Sequence, residues 1–286
     1  MATLACLAAL LWLPGARADV PLYEVSVPLK GSTDADRAAG MNEALRAVAV
    51  RASGRREAAD NPTIVAANPS RYVQRYSTTA DHMLKVGFDG RATEQLLQQA
   101  GLPLWPAERP LTEVNAPVND PAVVEAAAQW RGLPIMWSAG VPAPAGSARA
   151  VLTGAPSGAE FTWTFTHDGR TVQARGSPQD GINLAADTLA TRYAPLSTRL
   201  SNSLTLRIGG MDDLGDYSGL LAYLRELSLV HDVEVESLEG AVVTVRLAVR
   251  GDRELLARIA ALEGRLQAGP RAEGGTEAAL DFVFQP

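Results

Sequence analysis

The sequence has 286 residues, of which 47% are hydrophobic, and this is enough to bury two or three modest cores. The net charge is −6 and there is no basic surplus or stripe, which argues against nucleic-acid binding. The single cysteine, Cys6, lies in the N-terminal segment. A chain that has lost this segment has no disulfide, cysteine zinc site or cysteine nucleophile.

The N-terminal segment has the pattern of a secretory signal peptide. Its first 14 residues are almost entirely apolar, and Ala16, Arg17 and Ala18 form an A-x-A cleavage signal. We expect residues 1–18 to be removed by cleavage between Ala18 and Asp19, although no basic residue precedes the apolar run. A buried N-terminal helix is the alternative. No stretch reaches the roughly 20 apolar residues that span a bilayer, so we expect a soluble periplasmic or secreted chain without a transmembrane segment.

Residues 19–114 predict a βα(α)βα domain. Alternating residues favour a strand at 22–28, and apolar residues every three or four positions favour a helix from Asp34 to about Ala52, ended by Gly54. Asn-Pro pairs then open two short helical turns, to which Tyr72, Val73 and Tyr76 add apolar surface. A strand at 82–88 and a helix at 91–100 follow. Residues 115–121, rich in Pro and Asn, are a candidate linker.

The remaining chain predicts two further units and a tail. Residues 121–195 form a middle domain with a β-hairpin that turns at residues 167–170, flanked by helices. Residues 200–266 have a βαββα order, as in a ferredoxin-like unit. Residues 267–286, rich in Gly, Glu and Ala, predict a flexible tail. The fold class is therefore α+β, with two to three small α/β modules and mostly antiparallel sheets.

No residue pattern assigns a reaction, a metal or a cofactor. His82, His167 and His231 lie far apart without metal-ligand spacing, and no nucleophile or nucleotide-binding motif occurs. The acidic cluster of Asp212, Asp213 and Asp216 lacks the spacing of a calcium loop. Its position before a helix favours capping. We therefore assign no catalytic, metal or cofactor-binding residue.

One group of residues is a candidate interaction surface, because arginine and aromatic side chains are enriched at interface hot spots. The group lies at the end of the first helix and on the segments after it. Helix capping by the arginines and core packing of the aromatics are the competing interpretation. The candidate residues are Arg51, Gly54, Arg55, Arg56, Tyr72, Trp105 and Arg109.

Several segments, taken in order along the chain, resemble a family of secreted Gram-negative bacterial proteins known as domain of unknown function 2066. The resemblance covers most of residues 20–265 and implies an envelope protein without an established activity. Two departures are residues 112–116, where the family has an apolar strand, and a shortened segment at 117–150. The segments that carry the likeness are 22–27, 50–56, 71–74, 101–105, 109–111, 131–134, 186–194 and the βαββα section.

These observations predict a non-enzymatic periplasmic interaction or scaffold module with envelope protein partners. One alternative is an envelope glycan hydrolase with an unrecognised carboxylate pair, which would require two acids about 5–10 Å apart in a cleft. The other is a small-ligand binding protein, which would require an apolar pocket with converging polar groups.

Overall fold

The computed structural model describes residues 21–138, 150–194, 202–269 and 280–285. Over these residues the chain is α+β, with three mostly antiparallel sheets, and this confirms the predicted fold class. The predicted signal peptide, its cleavage site between Ala18 and Asp19, and most of the predicted tail lie outside the described residues.

The N-terminal unit is an antiparallel sheet in the order β1-β3-β2, packed against a long helix. Thr33 and Asp36 form a capping box that begins α1, and Gly54 ends it. Residues Ala44, Leu45 and Val48 of this helix belong to a core that they share with β1 and β3. The elements are β1 (Glu24–Pro28), α1 (Asp34–Ser53), a 3₁₀ helix (Arg56–Asp60), α2 (Pro62–Ala66), a 3₁₀ helix (Pro69–Arg71), β2 (Val73–Thr78), β3 (Met83–Phe88) and α3 (Gly90–Gln99).

The structure adds β2, where the sequence predicted only apolar surface after two helical turns. The turns themselves are present, capped by Asn61 and Asn68. As an edge strand, β2 is largely exposed, so it lacks the alternation of buried and exposed residues that reveals a strand.

The middle unit is a five-stranded sheet in the order β5-β4-β6-β7-β8. Strand β4 lies parallel to β5 and β6, and the other pairs are antiparallel. The predicted boundary at residue 114 therefore falls inside a strand of this sheet. The elements are β4 (Thr112–Asn115), α4 (Pro121–Arg131), β5 (Ile135–Trp137), β6 (Ala150–Ser157), β7 (Glu160–His167), β8 (Arg170–Gly176) and α5 (Pro178–Tyr193).

The predicted β-hairpin of this unit is confirmed. Asp168 and Gly169 both have positive φ, at 49° and 71°, as a tight hairpin turn requires. Trp163 and Phe165 are buried on one face of β7, where helix α5 packs. Strand β7 thus holds this helix against the sheet.

The C-terminal unit has the predicted βαββα order, and it continues into two further strands. Strands β10, β11 and β9 pair antiparallel, and β13 lies parallel to β9. The prediction of a flexible tail over 267–286 is therefore wrong at both ends, because Gln267 and Ala268 pair with β13, and Phe282 and Phe284 of β13 are buried. The elements are β9 (Asn202–Gly209), α6 (Leu214–Glu226), β10 (Val230–Glu239), β11 (Val242–Val249), α7 (Arg253–Glu263), β12 (Leu266–Ala268) and β13 (Leu280–Phe284).

The buried apolar residues form two clusters, although there are three sheets. One belongs to the N-terminal unit alone, and the other runs through the middle and C-terminal units. Trp105, at the end of the N-terminal unit, belongs to the second cluster. In the described part of the chain, no helix combines the length and apolar character needed to cross a bilayer.

Candidate functional site

The structure places most of the predicted interaction residues inside the protein. Arg51, Gly54, Trp105 and Arg109 are buried, and Arg55 and Tyr72 are half-buried. Arg56 is exposed. Most of these side chains meet where the N-terminal and middle units join. We call Arg51, Arg109 and Arg131 the arginine junction.

Arg109 is the centre of this junction. Its Nη1 donates to the carbonyl oxygens of Gly132 at 2.6 Å and Arg131 at 3.2 Å, and its Nη2 donates to the carbonyl of Arg51 at 2.8 Å. The guanidinium also lies over the Trp105 ring, 3.8 Å from its centroid. Since these carbonyls belong to the ends of α1 and α4, one side chain caps two helices.

The other two arginines extend the junction to β1 and α5. The guanidinium of Arg51 donates to the carbonyls of Pro21 at 2.9 Å and Glu24 at 2.5 Å. Arg131 donates to the Gly54 carbonyl at 3.0 Å and to a carboxylate oxygen of Asp187 at 2.6 Å. The second oxygen of that carboxylate lies 3.0 Å from Arg56. The capping interpretation named Arg51, Arg55 and Arg56, but the arginines that donate to the carbonyls at the end of α1 are Arg109 and Arg131, which come from distant segments.

Burial disfavours the charged form of each arginine. It lowers the pKa of Arg51 to about 10, and it lowers the pKa of Arg109 further, with the neighbouring charge of Arg51 adding to the shift. Burial also lowers the pKa of Arg131, against the attraction of Asp187. The negative ends of the α1 and α4 dipoles compensate these charges. The junction is therefore a structural connection, since its donors point at the protein's own backbone and at side chains of α5.

A second polar group lies in a cleft between the N-terminal and C-terminal units. The Tyr23 hydroxyl donates to Glu94 Oε1 at 2.6 Å, and Arg250 Nη2 donates to Glu94 Oε2 at 2.8 Å. The cleft combines apolar walls with this hydrogen-bonded trio. Its lining residues are Leu22, Tyr23, Glu94, Leu104, Pro106, Ser228, Leu229, Arg250 and Leu255.

Next to the cleft, a buried carboxylate holds the same two units together. Glu108 accepts from the backbone N–H of Ser228 at 2.9 Å and from its hydroxyl at 2.6 Å. The Ser228 hydroxyl oxygen accepts in turn from the backbone N–H of Ala107 at 3.1 Å. The segment that carries Trp105 and Arg109 is thus hydrogen-bonded to the C-terminal unit as well.

In the cleft, the Tyr23 hydroxyl and the Arg250 guanidinium both donate hydrogen bonds to the Glu94 carboxylate. Burial and the charge of Glu94 raise the pKa of Tyr23 well above its ordinary value, so the phenol stays protonated and acts as a donor. Burial and the positive charge of Arg250 lower the pKa of His231. This arrangement favours an inter-unit connection over acid–base chemistry.

We expect the substitution Tyr23→Phe to remove the part of the folding stability that is lost at alkaline pH. Because the folded-state pKa of Tyr23 is raised, its contribution is complete below the ordinary value of 10.0 and is lost as the pH rises above it. At pH 7 the variant should be less stable by roughly 1–2 kcal/mol, since a hydrogen bond to a carboxylate is lost. Above pH 10 the difference from the wild type should shrink.

Urea unfolding at pH 7 to 11 measures this difference. Tyr76→Phe is the matched control, because Tyr76 is exposed on β2 and its loss of a hydroxyl should change nothing. A constant difference between wild type and Tyr23→Phe across the pH range would contradict the assignment.

The structure also places the histidines and the acidic cluster that the sequence offered as candidate site residues. His167 is buried and lies 3.0 Å from the Tyr193 hydroxyl, and His82 is exposed in the turn before β3. Asp213 and Asp216 form the capping box of α6, as the position of the acidic cluster indicated. Among the described residues no group of three or more His, Cys, Asp or Glu is placed to hold a metal ion.

Comparison with known proteins adds one region of similarity. A family model described as a domain of unknown function (DUF8605) matches residues 16–106, which take in the N-terminal unit and end just after Trp105. No curated protein and no solved structure matches the chain. Over residues 16–106, therefore, the chain is similar to a domain whose function is not known.

Proposed function

We propose that this protein is a non-enzymatic interaction scaffold of the Gram-negative cell envelope, related to the secreted family known as domain of unknown function 2066. The observation that carries the proposal is that buried and half-buried charged side chains connect the three units. Arg109 and Arg131 join the N-terminal unit to the middle unit, and Glu94 and Glu108 join it to the C-terminal unit. Side chains engaged in this way hold three sheets in a fixed arrangement.

A fixed arrangement of sheets suits a protein that presents surfaces to partners. The outer edges of the sheets, such as β8 and β10, run along the surface. Unpaired backbone groups on an edge strand are available to another chain. The partners we propose are other envelope proteins.

The proposed location rests on the apolar N-terminal segment and its A-x-A signal. We expect cleavage between Ala18 and Asp19 in cells, with the processed chain in the periplasmic fraction. Mass spectrometry of the N-terminal peptide from fractionated cells tests this. Ala16→Asp together with Ala18→Asp should block cleavage, because the signal needs small residues at both positions. An unprocessed wild-type chain in the cytoplasm would overturn the proposal.

The scaffold role is tested by crosslinking in intact cells, followed by affinity purification of the full-length tagged protein. A recurrent envelope protein should be recovered with the wild type. Release of sugars from isolated cell-wall glycan by the purified protein would instead support the hydrolase alternative. The matched variant for that assay is Glu94→Gln, which removes the carboxylate of the cleft.

A further inference from the structure

Strand β8 is the longest edge strand with an unbroken register in the described sheets. The other edges are β1, β2, β5, β10 and β12. Strands β2 and β10 have breaks in their register, and β5 and β12 have three residues each. Strand β1 ends in a proline, and Arg51 donates to its Glu24 carbonyl. By contrast, β8 pairs with β7 over seven residues without a bulge or a proline, so its outer edge is open to another strand.

The backbone groups of β8 that point away from β7 lie on three alternate residues. His167 and Arg170 close a two-residue turn, so they form a hydrogen-bonded pair across the hairpin. Hydrogen-bonded and non-hydrogen-bonded pairs alternate along an antiparallel ladder. Thr171, Gln173 and Arg175 therefore direct one N–H and one C=O each toward the open edge.

A second copy of β8 matches this edge in one register. Antiparallel pairing about a two-fold axis at Gln173 places Thr171 opposite Arg175 of the second copy and uses every outward backbone group of both strands. It also places Val172, which is 36% exposed, opposite Ala174 of the second copy on the face that α5 covers. The two copies of Arg175 stand four positions apart along the strands, about 13 Å, so their like charges stay separated.

The same register brings opposite charges together at each end of the paired strands. Arg170 stands opposite Gly176 of the second copy. A β-carbon on Gly176 would lie 2.5 Å from a carboxylate oxygen of Asp180, so this carboxylate lies beside the glycine. Arg170 is exposed, and it points to the face that α5 covers because it pairs with the buried His167. The two-fold axis therefore places Arg170 of each copy beside Asp180 of the other.

We propose that two copies of this chain pair antiparallel through β8, with the two-fold axis at Gln173. The five-stranded middle sheets of the two copies then form one continuous sheet. Charge complementarity between Arg170 and Asp180 carries the choice of a second copy, because a two-fold interface requires one surface to complement itself. The inference goes beyond the proposed function and does not depend on it, since envelope partners would bind at other surfaces.

A single cysteine at the two-fold axis tests the pairing and its register. The full chain carries Cys6→Ser in this test, because Cys6 is the one cysteine of the sequence. Gln173→Cys then gives a hydrogen-bonded pair with Cα atoms about 5.5 Å apart, a distance that suits a disulfide. We expect mild oxidation to yield a covalent dimer on a non-reducing gel. Thr171→Cys is the matched control, because its two copies would lie about 13 Å apart and should not link.

Sedimentation equilibrium over a range of concentrations measures the association without a crosslink. We expect a monomer–dimer equilibrium that Gln173→Pro abolishes, since proline has no N–H to donate across the axis. The β7–β8 ladder does not use this N–H, and circular dichroism checks that the variant folds. Arg170→Glu should weaken the dimer about tenfold at low salt, because two ion pairs become repulsive contacts. Arg71→Glu makes the same charge change at an exposed site of the N-terminal unit and should leave the dimer unchanged.

Three results would overturn the inference. The first is a wild-type monomer at every concentration together with no disulfide from Gln173→Cys. The second is equal crosslinking of Gln173→Cys and Thr171→Cys, which would indicate random collision. The third is a series of growing assemblies, which would mean that β8 pairs with a different edge strand. If Gln173→Pro does not fold, the two cysteine variants and Arg170→Glu decide the question.

Discussion

Arg109→Ala is expected to lower the free energy of unfolding by about 4 kcal/mol, because hydrogen bonds from a charged donor contribute about 1.5–3 kcal/mol each and their buried acceptors lose their partner. The substitution removes the donors to the ends of α1 and α4 and the stacking on Trp105. Relief of the repulsion between Arg109 and Arg51 offsets part of the loss. Urea unfolding followed by tryptophan fluorescence measures the change.

Two comparisons show whether the loss of stability comes from the geometry of the guanidinium rather than from its charge. Arg109→Lys should recover little stability, since an ammonium group cannot reproduce the planar fork that reaches both helix ends. Arg56→Ala should cost less than about 1 kcal/mol, because Arg56 makes an exposed ion pair with the same region. Similar losses in Arg56→Ala and Arg109→Ala would contradict the role assigned to the junction.

Gly54→Ala is expected to destabilise the protein by about 3 kcal/mol or more, which places it among the largest single-residue effects. Gly54 has a φ of 70°, where an L side chain costs about 1–2 kcal/mol. A β-carbon there would also overlap the side chain of Ala190 and lie 2.8 Å from the Trp105 ring. The added methyl would push apart α1, α5 and the segment that carries Trp105.

Gly264→Ala is the matched control for this substitution. Gly264 also ends a helix, α7, with a φ of 69°, but a β-carbon there would meet open space. Its cost should therefore be that of the backbone conformation alone. Thermal unfolding of both variants separates the two contributions, and equal losses would mean that the contact with Ala190 and Trp105 is unimportant.

The sequence predicted the local elements better than their assembly. The ends of α1 and α4 at Gly54 and Gly132, and the turn at Asp168 and Gly169, follow from conformational preferences of single residues. Strand β4 was not predicted because Thr112 and Glu113 are polar, although both are buried. Strand β13 was missed because the Gly- and Glu-rich residues before it dominate the composition of that region.

The candidate site was harder to predict for a different reason. The structure brings Arg51, Gly54, Trp105 and Arg109 together, but the hydrogen-bond partners of the arginines are mostly backbone carbonyls. Every residue has a carbonyl, so no pattern of side-chain types shows which one an arginine will reach. The trio of Tyr23, Glu94 and Arg250 joins residues up to 227 positions apart and likewise leaves no local signal.

The arginine junction bears on how the matched region, residues 16–106, would behave when separated from the rest of the chain. That region has an apolar core of its own, so its sheet and helices could stay packed. Cutting after residue 106 would remove Arg109 and Arg131, which cap the carbonyls of Arg51 and Gly54. It would also leave Trp105 without its apolar neighbours, which lie in the other core. The donors that cap the end of α1 therefore lie in the part of the chain beyond the region that similarity outlines.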